Sequence, residues 1–243
     1  MADLNTLLDT AESYVGTPYI WGRYNILVLP PAFPFGGMEN PLMTFASPTI
    51  ITGTKSQLFV VVHEICHSWT GNQVTMNNWE DFWLNEGFTT FFERKVSGRL
   101  YGNDFANVEA TLGNSSLVNT MNITGYENTY STLHPVLFGD NPDNSFNEVP
   151  YEKGFQLLAY IENLIGKKQM QNFLTYYINE NNLTSISQFQ MRHSFATFIE
   201  ANTTLANETN AKLAAIDWSL WIYDASTDPT NTLDFSTSNT VKA

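Results

Sequence analysis

His63-Glu64-Ile65-Cys66-His67 closes an apolar run that begins at Leu58. Two histidines four apart project about 40° apart around a helix, so both rings can reach one metal ion. The run Leu58 to Val62 marks the helix as mostly buried, and the chain has only 4 histidines, two of them here. A third ligand, Glu86, comes from a second helix within Asn85-Glu86-Gly87. Two imidazoles and a carboxylate leave one zinc position open, the pattern of a catalytic rather than a structural site. Glu64 lies beside the ligand face, where it can take a proton from a water on the metal and hand it to a leaving amine. Glu93 falls two turns beyond Glu86 on the same face. It either holds a ligand imidazole from behind or is an ordinary solvated or salt-bridged carboxylate. Cys66 points about 100° away from His67, which makes it a small buried side chain under the site rather than a fourth ligand.

The 243 residues, 43% hydrophobic and 14% aromatic, suffice for a sizeable core in one large domain or two small ones. With 24 acidic against 11 basic residues the formal charge is −13. That argues against nucleic acid, whose phosphates need Lys and Arg, and against anionic membrane surfaces. No apolar run is long enough to span a membrane. Met1 to Thr10 lacks the basic and apolar regions of a signal peptide. A single cysteine excludes an internal disulfide and fits a reducing, cytoplasmic compartment.

Residues 3–15 read as a helix with Leu4, Leu7, Leu8 and Ala11 on one face and Gly16 as its stop. Ile26-Leu27-Val28-Leu29 reads as a short buried strand ended by Pro30-Pro31, and residues 36–40 open another. Helices are predicted at 55–70, ended by Gly71-Asn72, at 79–100, ended near Gly102, and at 104–120. The segment 121–150 is polar and turn-rich, a long loop of the kind that often carries function. Helices resume at 151–165, 168–180, 188–201 and 208–223, and the last twenty residues or so read as a polar tail. Strands first and helices after predict an α+β domain, a small sheet near the N-terminus against a helical bulk.

Gly36-Gly37-Met38-Glu39-Asn40 is, by itself, either a turn into a strand or a close backbone approach beside a carboxylate that could meet a cationic group. Its combination with His63-Glu64-Ile65-Cys66-His67 and Trp83-Leu84-Asn85-Glu86-Gly87 resembles the gluzincin aminopeptidases of family M1. Tyr19-Ile20-Trp21-Gly22, Leu29-Pro30-Pro31, His67-Ser68-Trp69-Thr70-Gly71-Asn72 and Val149-Pro150-Tyr151-Glu152-Lys153-Gly154 resemble the branch that holds leukotriene A4 hydrolase and its aminopeptidase relatives. The resemblance runs to about Tyr223. It implies a thermolysin-like catalytic domain over 1–225, a tail or linker over 226–243, and a zinc aminopeptidase acting on peptides with a free N-terminus. It implies one zinc ion on His63, His67 and Glu86, with Glu64 as general base. Glu39, with Gly36, Gly37 and Met38, would bind the substrate and its α-amino group, and Tyr151 would donate its phenol to the tetrahedral oxyanion. Asp143 matches a polar residue of the substrate pocket linked to epoxide hydrolysis. Phe35 and Phe146 replace tyrosines, which removes two hydroxyls and argues against lipid epoxide opening, and Cys66 replaces a serine. The saddle and helical domains that flank this module in the family are not among the 243 residues, so flanking domains or partner chains are expected. The alternative to an enzyme is a non-catalytic module of a larger assembly.

Overall fold

A computed structural model describes residues 3–54, 56–202, 216–225, 233 and 235. Its first helix, α1 (Leu4–Val15), buries Leu7, Ala11, Tyr14 and Val15 at helical spacing. Gly16 ends it with φ 69°, its N–H donating to Glu12 O. Strands β1 (Ile26–Val28), β2 (Gly37–Met38) and β3 (Thr44–Ala46) form one sheet in the order β1-β3-β2. β1 runs parallel to β3 with Ile26 opposite Thr44, and β2 runs antiparallel with Gly37 opposite Ala46. The expected buried strand at 26–29 is corrected by the structure: β1 is an edge strand, and Leu27 and Val28 are 42% and 41% exposed. An apolar run signals extended backbone, but it does not say which faces acquire neighbours.

Helix α2 (Leu58–Cys66) is shorter than predicted. The backbone continues from it through tight turns as far as Thr70, whose N–H still reaches Cys66 O at 3.2 Å. Strand β4 (Val74–Met76) follows, then α3 (Trp83–Tyr101), α4 (Asn103–Thr124), α5 (Val149–Ile165), α6 (Lys167–Glu180), β5 (Thr184–Ile186), α7 (Gln188–Ala201) and α8 (Trp218–Tyr223). The α+β architecture matches the expectation, with the small sheet near the N-terminus and helices after it. β4 and β5 form a parallel pair, Val74 opposite Thr184, that no sequence pattern announced. Each has three residues, too few for a period-2 signal. The loop between α4 and α5 holds only two 3-10 turns, Thr129–Ser131 and Pro142–Ser145. Of the predicted helix 208–223, residues 208–215 lie outside the described residues. So does most of 226–243, where Phe235 sets its ring 5.6 Å from that of Phe155. Among the described residues no helix is long and apolar enough to cross a membrane.

α3 is the centre of the molecule. It is buried on nearly every side, from Trp83 to Ser97, and packs against α1, α2, α4 and α5. Its closest neighbour is α5, because Gly87 meets Gly154. A Cβ on Gly87 would lie 2.7 Å from Gly154 Cα and 3.0 Å from Pro150 O. Both obstacles are backbone and cannot swing aside. Gly98, on the same helix, has room for a methyl, with its nearest atoms at 3.6 Å. Gly87→Ala is therefore expected to destabilise the chain by about 1–3 kcal/mol through overpacking. Gly98→Ala is expected to stabilise it by about 0.5–1 kcal/mol through helix propensity. Urea unfolding midpoints of the two variants check the pair, and opposite signs are required.

Candidate active site

α2 presents His63, with His67 one residue beyond its end, and α3 presents Glu86. The His63 and His67 Nε2 atoms are 3.0 Å apart, and each lies 3.2 Å from Glu86 Oε2. The outer ring nitrogens are all engaged. His63 Nδ1 donates to Glu93 Oε2 at 3.0 Å, and His67 Nδ1 donates to the Thr70 carbonyl at 2.9 Å. A carboxylate and a carbonyl can only accept, so Nδ1 carries a proton on each ring, and a ring in its neutral form turns its Nε2 lone pair inward. Two such lone pairs 3.0 Å apart beside a carboxylate repel unless a proton or a metal cation lies among them. Tetrahedral ligands about 2.0–2.1 Å from a zinc ion would stand about 3.3 Å apart. The spacing and the chemistry of the three atoms fit a divalent metal.

The surroundings explain why these side chains hold their places. Thr89, one turn after Glu86, donates to Thr70 O at 2.6 Å and lies 3.1 Å from His67 Nδ1. Its i+3 spacing from Glu86, the one signal in the sequence, puts it on the same face of α3. Gly71, expected as a helix stop, has another task. With φ 132° it leaves space for the His67 ring, whose Nδ1 would lie 2.7 Å from a Cβ there. Cys66 is fully buried in the core, as expected.

Glu64 is buried, and its Oε2 has no partner among the described residues. The rest of its carboxylate rests on Gly37, where a Cβ would fall 2.3 Å from Oε1. The second glycine of Gly36-Gly37 thus makes room for Glu64, while Gly36 faces Val60 and Met38 is 38% exposed. Glu39 follows on the same strand exit, its carbonyl held by Asn72 Nδ2 at 2.8 Å and its Oε1 4.0 Å from His67 Nδ1. Glu39, Glu64 and His67 offer polar atoms all within 4.8 Å of one another. Tyr151, in the first turn of α5, stacks on His63 with centroids 6.1 Å apart and planes 27° apart. Beyond it lies a rim of rings. Phe146 meets Tyr151, Phe82 and Phe35 at 6.2, 5.8 and 5.8 Å. Asp143 stands on the exposed 3-10 turn facing Asn141, 3.5 Å away. It shares no hydrogen bond or ion pair with the cluster among the described residues.

Charge is distributed to match. Burial alone would raise the Glu86 pKa, but His67 and His63 outweigh it and hold the carboxyl at about 2. Burial lowers the His67 pKa, yet Glu39 and Glu86 bring it up to about 9. Hydrogen bonds to Glu86 and Glu93 likewise overcome burial at His63 and raise its pKa well above the usual value. Burial pushes Glu64 up to about 7. Burial, then Glu86 and Glu39, drive the Tyr151 phenol well above its usual range, so it keeps its proton at neutral pH.

Comparison with known proteins gives the family. Residues 1–221 match the peptidase family M1 domain, and the chain belongs to that family. Leucine aminopeptidase 2 of Aspergillus clavatus is 39% identical over 238 residues, covering 98% of this chain and 37% of that protein. The enzyme of the same name from Ajellomyces capsulatus is 39% identical over 237 residues, again 37% of its length. The yeast LTA4 hydrolase structure with bestatin superposes with a TM-score of 0.86 at 36% identity, covering 94% of this chain and 36% of that one. An M1 zinc metallopeptidase of Deinococcus radiodurans, at 20% identity and a TM-score of 0.66, shares the fold. The chain therefore spans about 37% of the length of the curated relatives it matches.

In the metal-free chain the raised imidazole pKa values keep protons where a cation would bind. A group that loses its proton on binding makes binding tighten as pH rises. Zinc titrated into the metal-free chain at pH 7 is expected to release at least one proton, with affinity climbing toward pH 9. Calorimetry in buffers of different ionisation enthalpy measures this, and binding without proton release would contradict the geometry.

Proposed function

We propose that the chain is the catalytic domain of a zinc aminopeptidase that removes N-terminal residues from peptides. The observation that carries this reading is the convergence of His63 Nε2, His67 Nε2 and Glu86 Oε2 to within 3.2 Å, with Glu64 and Glu39 gathered at His67 and the Tyr151 ring stacked on His63. Zinc on the three ligands would supply Lewis acidity, polarising a carbonyl and favouring loss of a proton from water. Glu93 and Thr70 would hold the two imidazoles in their ligating tautomer. Glu64, with a free buried oxygen and a raised pKa, suits the task of taking the proton of the attacking water and passing it to the leaving amine. Its position against Gly37 orients it toward the cluster. The Tyr151 phenol, held protonated, would donate to the oxyanion as the carbonyl carbon becomes tetrahedral.

Glu39 would receive the α-ammonium group of the substrate. A carboxylate at a fixed distance from the reacting centre selects a free N-terminus and excludes acylated ones, which is exopeptidase behaviour. The ring-lined rim formed by Phe35, Phe82 and Phe146 has no hydroxyl to offer a lipid epoxide, so peptide hydrolysis is favoured over epoxide opening. The absence of a second cysteine supports a cytoplasmic setting, and the share of the relatives' length covered supports flanking domains as partners of this module.

Two variants test the roles. Glu64→Gln is expected to bind one zinc per chain but to lower turnover of an aminoacyl arylamide by about 10²–10⁴-fold. Glu39→Ala is expected to cost turnover of free aminoacyl substrates chiefly through KM and to narrow their advantage over N-acetylated ones. Steady-state kinetics with elemental analysis decides. A chain that holds stoichiometric zinc and turns over no aminoacyl substrate would instead be a non-catalytic module.

A further inference from the structure

Tyr151 belongs to α5, while Glu86 and Glu93 belong to α3, so the phenol reaches the ligand cluster only if the two helices keep one relative rotation. The Gly87–Gly154 contact sets how closely they approach, but two glycines without side chains do little to stop one helix turning against the other. A second contact does. Arg94 follows Glu93 on α3, and Glu152 follows Tyr151 on α5. Arg94 Nη1 donates to Glu152 Oε2 at 2.9 Å and Nη2 to Oε1 at 2.7 Å, a two-pronged pair whose side chains are only 8% and 9% exposed. The planar fork matches the carboxylate in direction as well as distance.

The pair is enclosed on its remaining sides. Arg94 Nη2 also donates to the Glu109 carbonyl of α4 at 3.2 Å, and its guanidinium lies 4.1 Å above the Phe155 ring. Gly113 of α4 completes the enclosure: a Cβ there would lie 2.2 Å from Glu152 Oε2 and 2.4 Å from Arg94 Nη2. Three helices thus meet on one ion pair. The pair makes no contact with His63, His67 or Glu86. Lys95 and Glu162 join the same two helices almost three turns further along α5, so the Arg94–Glu152 pair is the ionic contact at the Tyr151 end.

We propose that Arg94 and Glu152 are positioning residues for catalysis, fixing the rotation of α5 so that the Tyr151 phenol stands over the metal ligands. This rests on the proposed role of Tyr151 and goes beyond it, because neither residue touches substrate or metal. Their effect on the reaction passes through Tyr151.

A double-mutant cycle with Tyr151→Phe tests this in the zinc-loaded chain. Glu152→Gln, of nearly the same size, is expected to lower kcat on an aminoacyl arylamide at least about tenfold, within the cost of a 1 Å misplacement. KM and zinc content are expected to stay unchanged. In the Tyr151→Phe background the same substitution is expected to cost nothing further. Arg94→Lys keeps the charge and loses the fork. It is expected to show an intermediate loss and serves as the test if Glu152→Gln does not fold. The readout apart from turnover is the 13C resonance of the Tyr151 ring, assigned by difference from Tyr151→Phe, which is expected to shift in both variants. Losses that persist in the Tyr151→Phe background, or a lower Tm with kcat and the Tyr151 resonance unchanged, would overturn the proposal. Wild-type turnover in Tyr151→Phe alone would refute the oxyanion role, while the resonance would still decide whether the pair holds the ring.

Discussion

Glu86 is a carboxylate on a helix covered on almost every side, and the structure is organised around keeping that charge compensated. A lone buried carboxylate takes up a proton or costs several kcal/mol. Here two imidazoles face it, and burial loses to their attraction. The histidines are themselves buried, and each is held from behind by an acceptor, Glu93 or the Thr70 carbonyl. The result is a nested set of polar groups inside an apolar core, in which every member is satisfied by the next except where three ligand atoms converge. At that convergence a cation or shared protons would balance the three atoms.

Close packing protects the arrangement. Three glycines stand where a methyl group would collide with a site residue or with the ion pair behind it: Gly37 against Glu64, Gly71 against His67, and Gly113 against Glu152 and Arg94. A fourth, Gly87, sets the approach of α3 to α5. These are close-approach positions, and their value lies in the space they leave. The same tightness encloses the Arg94–Glu152 ion pair where α3, α4 and α5 meet, one residue along from Tyr151 in the first turn of α5. Interiors at this density transmit displacement.

Much of this was legible in the sequence. The i, i+4 histidines, Glu86 on the following helix and Glu93 seven residues on are local periodicities, and the structure brings them together. The helical boundaries at Gly16 and Gly102 were equally local, since a glycine past a helix end is cheap in conformations other residues avoid. The short pair β4 and β5 was not legible, because three-residue strands carry no period. The exposure of β1 has a related reason: apolar character is visible in a sequence, and the missing neighbour on an open edge is not.

By itself, the sequence determined the helical spacing of His63, His67, Glu86 and Glu93, the helices that carry them and the α+β order of elements, because each depends on residues within a few turns of one another. Tertiary structure alone decided that Gly37 lies against Glu64, that Thr89 braces His67, and that Arg94 and Glu152 meet inside three helices while Asp143 stands apart on an exposed turn. Those relations join residues far apart in the chain. They follow from how helices pack and where backbones can touch, and a linear pattern records neither.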